Sequence, residues 1–304
     1  MSDASLTGTV GPVAGVEPLD PDRIQWLRNV PFLAVQLACL LVLWTGVSGT
    51  AIVIGLVTLF TRMFGLTAGY HRYFCHRAFK TSRAFQFVLA WLGASAAQRG
   101  PLWWGGHHRW HHRHSDTEQD VHPPGVKGML WAHAGWIMSA GNDRARVEWI
   151  RDFARFPELR WLDANHHVAP ITLGVALFGL GHWLSSAYPA LGTSGAQLLV
   201  VGFFCSTTFL YHVTFAVNSL GHRFGSRRYE TNDASRNSFW LGLVTAGEGW
   251  HNNHHRYPAS ERQGFYWWEV DLTHYGVVLL SWLGVVWDVR GPSADVIREG
   301  AGTR

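Results

Sequence analysis

Two long stretches without any charged side chain decide the fold. The longer one contains VAPITLGVALFGLGHWLS at Val168–Ser185 and AQLLVVGFFCSTTFLYHVTFAVNS at Ala196–Ser219. No Asp, Glu, Lys or Arg occurs in the 59 residues between Asp163 and Arg223. A helix needs about 20 apolar residues to cross the hydrocarbon of a bilayer. This stretch therefore predicts two membrane crossings joined by a turn.

The second uncharged stretch lies nearer the N-terminus. The 33 residues between Arg28 and Arg62 also lack Asp, Glu, Lys and Arg. Their number predicts a tighter hairpin of two crossings, over residues 30–45 and 50–69. Arg62 lies near the inner end of the second of these crossings, where its guanidinium can reach the interface or face protein. The sequence thus predicts an all-α polytopic membrane protein with four transmembrane helices.

The distribution of charge predicts the orientation of these helices. Both hairpin turns are uncharged, whereas the other segments are rich in Arg, so the positive-inside rule places those segments in the cytoplasm. We expect a flexible tail at 1–25, a membrane domain with a cytoplasmic helical cap at 26–290, and a C-terminal tail at 291–304. Apolar periodicity predicts cap helices over 82–98 and 276–287. The alternative is that the uncharged stretches are buried helices of a large soluble protein.

Histidine and tryptophan are unusually frequent, with 18 His and 17 Trp among 304 residues. Tryptophan suits the boundary between membrane and water. The formal net charge of +4 is too small to indicate nucleic-acid binding. Cys39, Cys75 and Cys205 are scattered and lack the C-x-x-C spacing of zinc, iron–sulfur and redox sites. Histidine is therefore the residue type that carries the candidate chemistry.

Eight histidines form three clusters at metal-ligand spacing. They are His71 and His76, then His108, His111 and His112, then His251, His254 and His255. In the last two clusters the first His precedes the others by three and four residues, so on a helix all three project from one face. Neutral imidazole without thiolate suits iron, copper or zinc. One such ion takes about four ligands, so this number of histidines indicates two ions sharing one cage.

A further donor is predicted at the end of the fourth crossing. Asn218 and His222 are one helical turn apart and lie on the same side of the helix. With four crossings, this pair and the three clusters all emerge on the cytoplasmic face. Glu248 precedes His251 by three residues. It is either an acceptor that fixes the tautomer of an imidazole or a solvated carboxylate.

The other histidines are not expected to bind metal. An isolated His is more often a surface or hydrogen-bonded residue than a ligand. We expect this for His133, His166, His167, His182 and His274. His107, His114 and His122 flank the cage, and a role in packing or hydrogen bonding is favoured for them as well.

The clustered residues resemble those of the membrane-bound fatty acyl desaturases. That family has H-x4-H, H-x-x-H-H and H-x-x-H-H boxes and an N-x3-H element, matched here by His71/His76, His108/His111/His112, His251/His254/His255 and Asn218/His222. The words GLTAGYH at 65–71, SDTEQD at 115–120, NSLGH at 218–222 and GEGWHNNHH at 247–255 are similar to desaturases that act on saturated chains. With WWEVDLT at 267–273, the likeness covers about 56–275.

The resemblance implies a cytoplasmic cap that holds two iron ions through these nine histidines, with Asn218 reaching one iron through water. It implies an O2-dependent reaction that inserts a cis double bond into a saturated long-chain acyl group, at the ninth carbon by family position. Such C–H bonds need an iron–oxygen oxidant, because no acid or base in water removes these hydrogens. Gln98, Trp104 and Phe215 match positions that line the acyl tunnel of the family, although aromatic residues near a membrane more often serve packing.

The electrons for the reaction come from outside the chain. We find no Rossmann fingerprint and no thiolate set for an iron–sulfur cluster in the sequence. The resemblance therefore implies a separate electron carrier and its reductase. Arg223, Arg227 and Arg228 are candidates either for docking an acidic carrier or for anchoring the cap at the membrane.

The head group of the substrate stays open between CoA and a membrane lipid. Acyl-CoA members of the family carry an Arg two residues before the first His of the second box, where this chain has Gly106. Arg99 and Arg109 remain as candidate phosphate contacts. An acyl chain esterified to a lipid needs fewer such contacts than acyl-CoA does.

Two other functions compete with desaturation. A hydroxylase or alkane monooxygenase uses related histidine boxes, but the N-x3-H element and the word GEGWHNNHH favour desaturation. A non-catalytic membrane metal-binding protein, such as a transporter or metal store, would carry ligands along a path inside the crossings. The predicted ligands instead cluster beyond the cytoplasmic ends of the crossings.

Overall fold

The computed structural model describes residues 20–302, and almost all of its regular structure is helical. Three helices are long and apolar enough to cross a membrane, namely Gly49–Cys75, Val168–Ala187 and Gly195–His222. The first predicted crossing is a shorter apolar helix, Val30–Thr45, with a 3-10 turn at Ala38–Leu41. This helix extends roughly 25 Å against about 30 Å of hydrocarbon. The number of crossings thus stays a prediction, with three helices that meet the length requirement.

The helix Gly49–Cys75 continues beyond residue 69, where the sequence predicts its end. It is α-helical over Gly49–Phe64 and π-helical over Gly65–Cys75, and all residues of the π-helical part are buried. Apolarity falls at Tyr70, which is why the prediction stops there. The helix nevertheless continues because the cap covers this segment and hydrogen-bonds its polar side chains, so no lipid contact is required.

The last two long helices form an antiparallel hairpin. Gly195–His222 is α-helical at Gly195–Leu199 and Ser206–Ser219, π-helical at Val200–Cys205 and 3-10 helical at Leu220–His222. Close packing at the turn requires glycine, because a Cβ at Gly181 would lie 2.5 Å from the Ser194 carbonyl oxygen. Local sequence does not predict the π-helical segment, which depends on packing against other helices.

Apolar side chains cover the outer faces of the long helices. Val57 is 60% exposed and Val175 is 68% exposed. A soluble protein does not expose such a contiguous apolar surface, so these faces are suited to lipid. Arg62 is buried and faces protein, where it donates hydrogen bonds to the hydroxyl groups of Thr207 and Ser206.

The remaining elements form the cap. Its helices are Arg83–Ser95, Pro101–His114, Pro124–Lys127, Trp131–Gly135, Trp136–Met138, Ala140–Asn142, Val147–Trp149, Arg151–Ala154, Pro157–Ala164, Phe239–Val244, His251–Arg256, Leu272–Trp282 and Ala294–Ala301, with a 3-10 turn at Pro189–Leu191 in the hairpin. Strands Lys80–Thr81 and Val286–Trp287 pair antiparallel, with Lys80 opposite Trp287.

The helix predicted over 276–287 is wrong in its last turn. The observed helix ends at Trp282, the chain turns at Gly284, which has φ +70°, and residues 286–287 form a strand instead.

The largest apolar core joins the inner end of Gly49–Cys75 to the cap. It includes Leu66, Leu89, Leu102 and Leu159, all nearly inaccessible to solvent. A Cβ at Gly65 would lie 2.5 Å from the backbone of Leu92, so two helices approach closely here. This core fixes the histidine-bearing end of the long helix to the cap.

The two predicted tails lie partly outside the described residues. Residues 1–19 and 303–304 lie outside the described residues, so most of the flexible tail predicted over 1–25 is untested. Gln25 donates its backbone N–H to the Met138 carbonyl. In the predicted C-terminal tail, the helix Ala294–Ala301 packs on the cap, and the Tyr229 hydroxyl donates to the Val296 carbonyl at 3.0 Å.

Candidate metal centre

The fold brings the nine predicted histidines together as two adjacent groups. The five-histidine group contains His71, His76, His108, His112 and His254. The four-histidine group contains His111, His222, His251 and His255. Within each group the candidate ligand atoms lie within 4.8 Å of one another. Each of the two H-x-x-H-H clusters contributes to both groups.

Helical geometry explains why each cluster is divided. His108, His111 and His112 lie in Pro101–His114, and His251, His254 and His255 lie in the helix His251–Arg256. Neighbouring side chains on a helix differ by about 100° in direction, whereas residues four apart point almost the same way. In both helices the first and last His therefore join one group, and the middle His joins the other.

In the five-histidine group the Nε2 atoms of the imidazoles face one another across a short distance. The Nε2 atoms of His71 and His254, His254 and His112, His112 and His108, and His108 and His76 are each 3.0 Å apart. A neutral imidazole nitrogen carries either one hydrogen or one lone pair. These four contacts therefore cannot all be hydrogen bonds.

A cation between the nitrogens resolves this conflict, because it accepts every lone pair. Metal–nitrogen bonds of about 2.1 Å would bring nitrogens that share one ion to within roughly 3 to 3.5 Å of each other, and the observed spacing fits this range. Burial and the neighbouring imidazoles hold the pKa values of His76, His108, His112 and His254 well below their usual range. A lowered pKa favours the neutral form of these four imidazoles, which is the form that binds a metal ion.

In the four-histidine group, aspartates orient most of the imidazoles. The Nδ1 atom of His111 is 2.9 Å from Asp120. His222 Nδ1 is 2.8 Å from Asp116, and His255 Nδ1 is 2.6 Å from Asp233. A carboxylate accepts a hydrogen bond, so Nδ1 carries the proton and the Nε2 lone pair faces inwards.

Two of the four inward-facing nitrogens of this group lack a protein partner within residues 20–302. His222 Nε2 and His251 Nε2 are 3.0 Å apart. Nε2 of His111 and Nε2 of His255 are buried and have no hydrogen-bond partner within residues 20–302. Buried polar atoms are normally satisfied, so these lone pairs indicate a ligand that the protein atoms do not provide. The donor set fits a metal ion.

Burial and carboxylates oppose each other in setting the pKa values of this group. Burial lowers the pKa of His111, but Asp120 outweighs it, and the net pKa is raised. For His255 burial dominates over Asp233 and lowers the pKa to about 4. Facing His111, Asp120 has its own pKa lowered despite its burial.

Glu248 is buried and faces the five-histidine group. It contacts Nδ1 of His71, and its other oxygen accepts from Arg72 at 3.0 Å. Gln263 donates to the same carboxylate at 2.9 Å. Burial raises the pKa of Glu248, but His71 and Arg72 outweigh it and lower the pKa to about 2. Of the two interpretations of this residue, the solvated carboxylate does not match its position.

A cavity of about 940 Å³ lies beside the two groups. Its apolar lining includes Phe32, Val35, Ile171, Val175, Phe178, Leu199, Phe203, Phe204, Tyr211 and Phe215. Lining residues from Pro170 to Phe178 follow the helix Val168–Ala187, over roughly 12 Å along its axis. His108 belongs to the five-histidine group and also lines the cavity. The cavity therefore reaches the histidines.

Most of the predicted substrate residues line this cavity, and one does not. Gln98, Arg99, Trp104 and Phe215 are part of its lining, as is Asn218. Arg109 lies elsewhere: it pairs with Asp152 at 2.8 Å and donates to the carbonyl groups of Phe74, Cys75 and Trp149. Its guanidinium is committed to the protein scaffold.

Three charged residues line one end of the cavity, beside His166. Asp143 pairs with Arg28 and, at 3.0 Å, with Arg99. The Arg28 side chain is 63% exposed, which identifies this end as the mouth. One carboxylate offsets one of the two guanidinium groups, so the mouth carries a single positive charge.

Sequence reasoning did not identify the aspartates that orient the four-histidine group. Asp116 and Asp120 lie four and eight residues after His112, but the helix ends at His114 and both aspartates belong to the turns that follow it. Asp233 also belongs to an irregular segment, so helical periodicity does not relate these carboxylates to the imidazoles that they contact. Two of the flanking histidines, His107 and His122, are buried in the cavity wall. The others are at separate places, with His133 3.0 Å from His212 and His274 2.6 Å from Glu261.

Comparison with known proteins identifies the family. Residues 26–279 match the family described as fatty acid desaturase. The chain is 36% identical to the sn-1 stearoyl-lipid 9-desaturase of Anabaena variabilis, over 88% of this chain and 94% of that protein. It is 33% identical to the sn-2 palmitoyl-lipid 9-desaturase of Nostoc sp. (strain 36), over 91% of this chain and 93% of that protein. It is 34% identical to an acyl-CoA 5-desaturase of Anemone leveillei, over 76% of this chain and 68% of that protein.

These matches agree with the apolar helices and the histidine groups. The shares covered are large, so the likeness concerns the whole membrane domain rather than a single motif. The histidine groups are compatible with a metal centre. The chain belongs to the fatty acid desaturase family and is a membrane-bound oxidoreductase that desaturates fatty acyl chains.

Proposed function

We propose that the protein is an O2-dependent acyl-lipid desaturase that introduces a cis double bond at carbon 9 of a saturated acyl chain, using two iron ions. The observation that carries the proposal is the position of His108. This residue belongs to the five-histidine group and also lines the apolar cavity. An acyl chain in the cavity therefore passes directly beside the proposed irons. Position 9 and the lipid head group are supported by the names of the cyanobacterial relatives.

The reaction balances with one O2 and two external electrons. The acyl chain loses two hydrogen atoms from neighbouring carbons, O2 accepts these together with two electrons and two protons, and two water molecules leave. Bound iron supplies the oxidant for the unactivated C–H bonds. The protein binds the chain, fixes the carbon pair beside the irons and keeps bulk water out of the cavity.

Each histidine group would hold one iron. The five-histidine group provides five imidazoles. The four-histidine group provides four, and Asn218 would complete that side through water, since it lies one turn before His222 and lines the cavity. The Nδ1 hydrogen bonds to Asp116, Asp120, Asp233 and Glu248 would keep the inward lone pairs directed at the irons.

The mouth of the cavity favours a lipid over CoA. Arg28 and Arg99 share Asp143, which leaves one positive charge for the head group. CoA carries several phosphate charges and would need more cations than the mouth offers. Gly106, in place of the Arg of acyl-CoA members, agrees with this assignment. A lipid also approaches naturally, because Ile171 and Val175 of the cavity wall are exposed on a membrane helix.

Orientation and electron supply complete the proposal. The cap and both termini would lie in the cytoplasm, because the Arg-rich segments belong to them. A separate electron carrier and its reductase would deliver the two electrons. Nucleic acid has no part in this function, given the modest net charge of +4.

The decisive experiment supplies labelled stearoyl groups as membrane lipid and as stearoyl-CoA to membranes that contain the protein, an electron carrier and its reductase. We expect a cis-9 product from the lipid form and about two irons per chain in protein made without added zinc. A product from the CoA form alone overturns the head-group assignment. A hydroxylated product indicates the related hydroxylase reaction instead. One tightly bound ion per chain contradicts the two-iron centre.

Chain length offers an independent test of the cavity as the acyl site. Gly174 lines the cavity, and a Cβ there would only touch Leu199 at 3.5 Å, so a side chain fits without disrupting the fold. We expect Gly174→Val to shift the preference from stearoyl to palmitoyl groups by about tenfold, because a filled pocket rejects extra methylene groups. Gly179→Val is the control, since no atom lies within 4 Å of its Cβ position and it does not line the cavity.

A further inference from the structure

A second large depression in the cap carries an excess of positive charge. It has a volume of about 910 Å³ and is lined by five cationic side chains, Arg77, Lys80, Arg83, Arg155 and Arg290. Asp152 and Asp288 are the two carboxylates in its lining. We name this depression the cationic groove. None of its lining residues lines the apolar cavity, so the two are separate features of the molecule.

The cations of the groove are exposed and held in place. The side chains of Arg77, Lys80 and Arg83 are 61%, 64% and 62% exposed. Phe156 packs under the guanidinium groups of Arg83 and Arg155, at 5.3 and 4.8 Å from its ring centre. Such cation–π contacts orient the charges before any partner arrives.

Two of these cations have no protein counter-ion. Lys80 pairs with Asp288 at 2.7 Å and Arg83 pairs with Glu158 at 2.7 Å. Arg155 and Arg290 are exposed, and within residues 20–302 neither lies within ion-pair distance of a carboxylate. The groove therefore retains positive charge that an anionic partner can neutralise.

The floor of the groove reaches the five-histidine group. His76 lines the groove, and its Nε2 is 3.0 Å from Nε2 of His108, which lines the apolar cavity. The five-histidine group thus separates the substrate side from the cationic side. Arg77 follows His76 directly and has φ +51°, a conformation that costs energy for a residue other than glycine. This backbone turn places Arg77, which pairs with Asp152 at 3.6 Å, at the edge of the group.

We propose that the cationic groove is the docking site of a small acidic one-electron carrier protein. The inference rests on the proposed function, because desaturation needs two electrons from outside. At each docking event the carrier is oxidised by one electron and the metal centre is reduced by one, so two events serve each double bond. Exposed Trp287, in the groove wall, adds the aromatic contact that protein interfaces favour.

Position favours this surface over Arg223 and Arg227. Those residues are exposed, yet they line neither the cationic groove nor the apolar cavity. Electron transfer requires a short path, and His76 provides one from the groove to the other imidazoles, with ring centres 4.6 Å from those of His112 and His254. A membrane surface is a poorer occupant, because a concave floor is inaccessible to a flat array of head groups.

The test measures binding of an acidic [2Fe–2S] ferredoxin to the purified holoprotein, by titration calorimetry at low ionic strength. We expect Arg155→Glu/Arg290→Glu to raise the Kd by roughly 10- to 100-fold, and 0.5 M salt to abolish most of the difference. Arg155→Lys/Arg290→Lys keeps the charge and should bind like the wild type. The matched control Arg223→Glu/Arg227→Glu should leave the Kd within about twofold.

A single turnover after reduction with dithionite separates this proposal from the desaturase function. The groove variant should form product as the wild type does, because the chemical reductant needs no docking site. An unchanged Kd in the groove variant overturns the proposal, as does a rise confined to Arg223→Glu/Arg227→Glu. Groove-dependent binding of anionic vesicles without binding of ferredoxin also overturns it. Failure of dithionite-reduced wild type to form product would overturn the proposed function, while the Kd values would still report on the groove.

Discussion

In the four-histidine group three imidazoles turn Nδ1 towards an aspartate, whereas in the five-histidine group His71 is the one imidazole that faces a carboxylate among residues 20–302. The first group therefore has fewer nitrogens and more negative charge around them. A carboxylate increases the basicity of the imidazole to which it bonds. The two groups thus differ in kind: the five-histidine group offers more imidazoles, and the four-histidine group offers imidazoles that carboxylates support.

The carboxylates of the two groups also differ in how they are supported. Glu248 bonds to Arg72, which in turn contacts Glu261 at 3.1 Å and Asp271 at 2.9 Å. All four charged side chains are buried. Asp233 belongs to a local turn and is supported by the backbone N–H of Ser235. The five-histidine group is consequently tied to a buried network of charged side chains, whereas the aspartates of the four-histidine group belong to irregular segments.

The largest expected effect comes from removing one imidazole of each group. We expect His254→Ala and His111→Ala each to lower desaturation by more than about 100-fold, because each removes a proposed ligand. Iron analysis distinguishes the groups, since each variant should retain no more than about one iron. Far-ultraviolet circular dichroism and membrane insertion should be unchanged. Full turnover by either variant would remove that residue from the metal centre.

Removing one carboxylate from each group tests the difference in support. We expect Glu248→Gln and Asp233→Asn each to lower iron affinity by about 10- to 100-fold. Glu248→Gln should also lower the Tm of the iron-free protein, because Arg72 loses one of three buried counter-ions. Asp233→Asn should leave that Tm nearly unchanged. Equal Tm losses would contradict the distinction between a network of buried charges and a carboxylate held within a local turn.

Asn218 tests whether the four-histidine group needs a further donor. We expect Asn218→Leu to lower turnover by about tenfold while about two irons stay bound, because the residue is proposed to act through water. Asn165→Leu is the control, since Asn165 is an exposed helix-end residue that hydrogen-bonds only locally, to the Trp161 carbonyl. Loss of one iron in Asn218→Leu would make Asn218 a direct ligand.

The smallest expected effect is the pH dependence of stability that His166 causes. This residue belongs to neither histidine group, so its pKa serves as a reference for a partly buried imidazole. It lines the cavity mouth, and burial together with Arg99 lowers its pKa to about 4. The unfolded chain has the ordinary His pKa of about 6.5, so it binds more protons than the folded chain between these values. The contribution of His166 to the free energy of unfolding is therefore present above about pH 6.5 and is lost as the pH falls towards 4.

Nuclear magnetic resonance of histidine-labelled protein checks this pKa directly. The resonance absent from His166→Gln should titrate below pH 5, close to the value of about 4. Titration near 6.5 would show that burial and Arg99 do not suppress imidazole protonation here. The account of the neutral five-histidine group would then lose its simplest support.

Sequence patterns were informative wherever a single element carries the signal. The uncharged stretches predicted the long helices because lipid-facing helices require apolar side chains over their whole length. Spacing brought His108 and His112 onto one helical face because the helix repeats every 3.6 residues. The prediction over 50–69 ended too early, since the buried continuation to Cys75 is stabilised by the cap rather than by lipid.

Contacts between distant segments had no comparable signal. Asp233 reaches His255 through a loop, and Asp116 reaches His222 from a turn after the second cluster. Charge alone made Arg109 a candidate phosphate contact, but in the structure its guanidinium donates a hydrogen bond to Asp152. The same applies to the cationic groove, whose members come from three separate stretches of the chain. Their proximity depends on how the cap helices pack.

The sequence alone determined that the chain enters a membrane and that its histidines converge at one end of the long helices, because hydropathy and helical periodicity are local properties. The tertiary structure alone decided how nine imidazoles divide into five and four, and which carboxylates orient them. It also decided that His76 and His108 face a cationic groove and an apolar cavity, respectively. The physical reason is that the direction of a side chain relative to another segment depends on the packing of both, which no local pattern encodes.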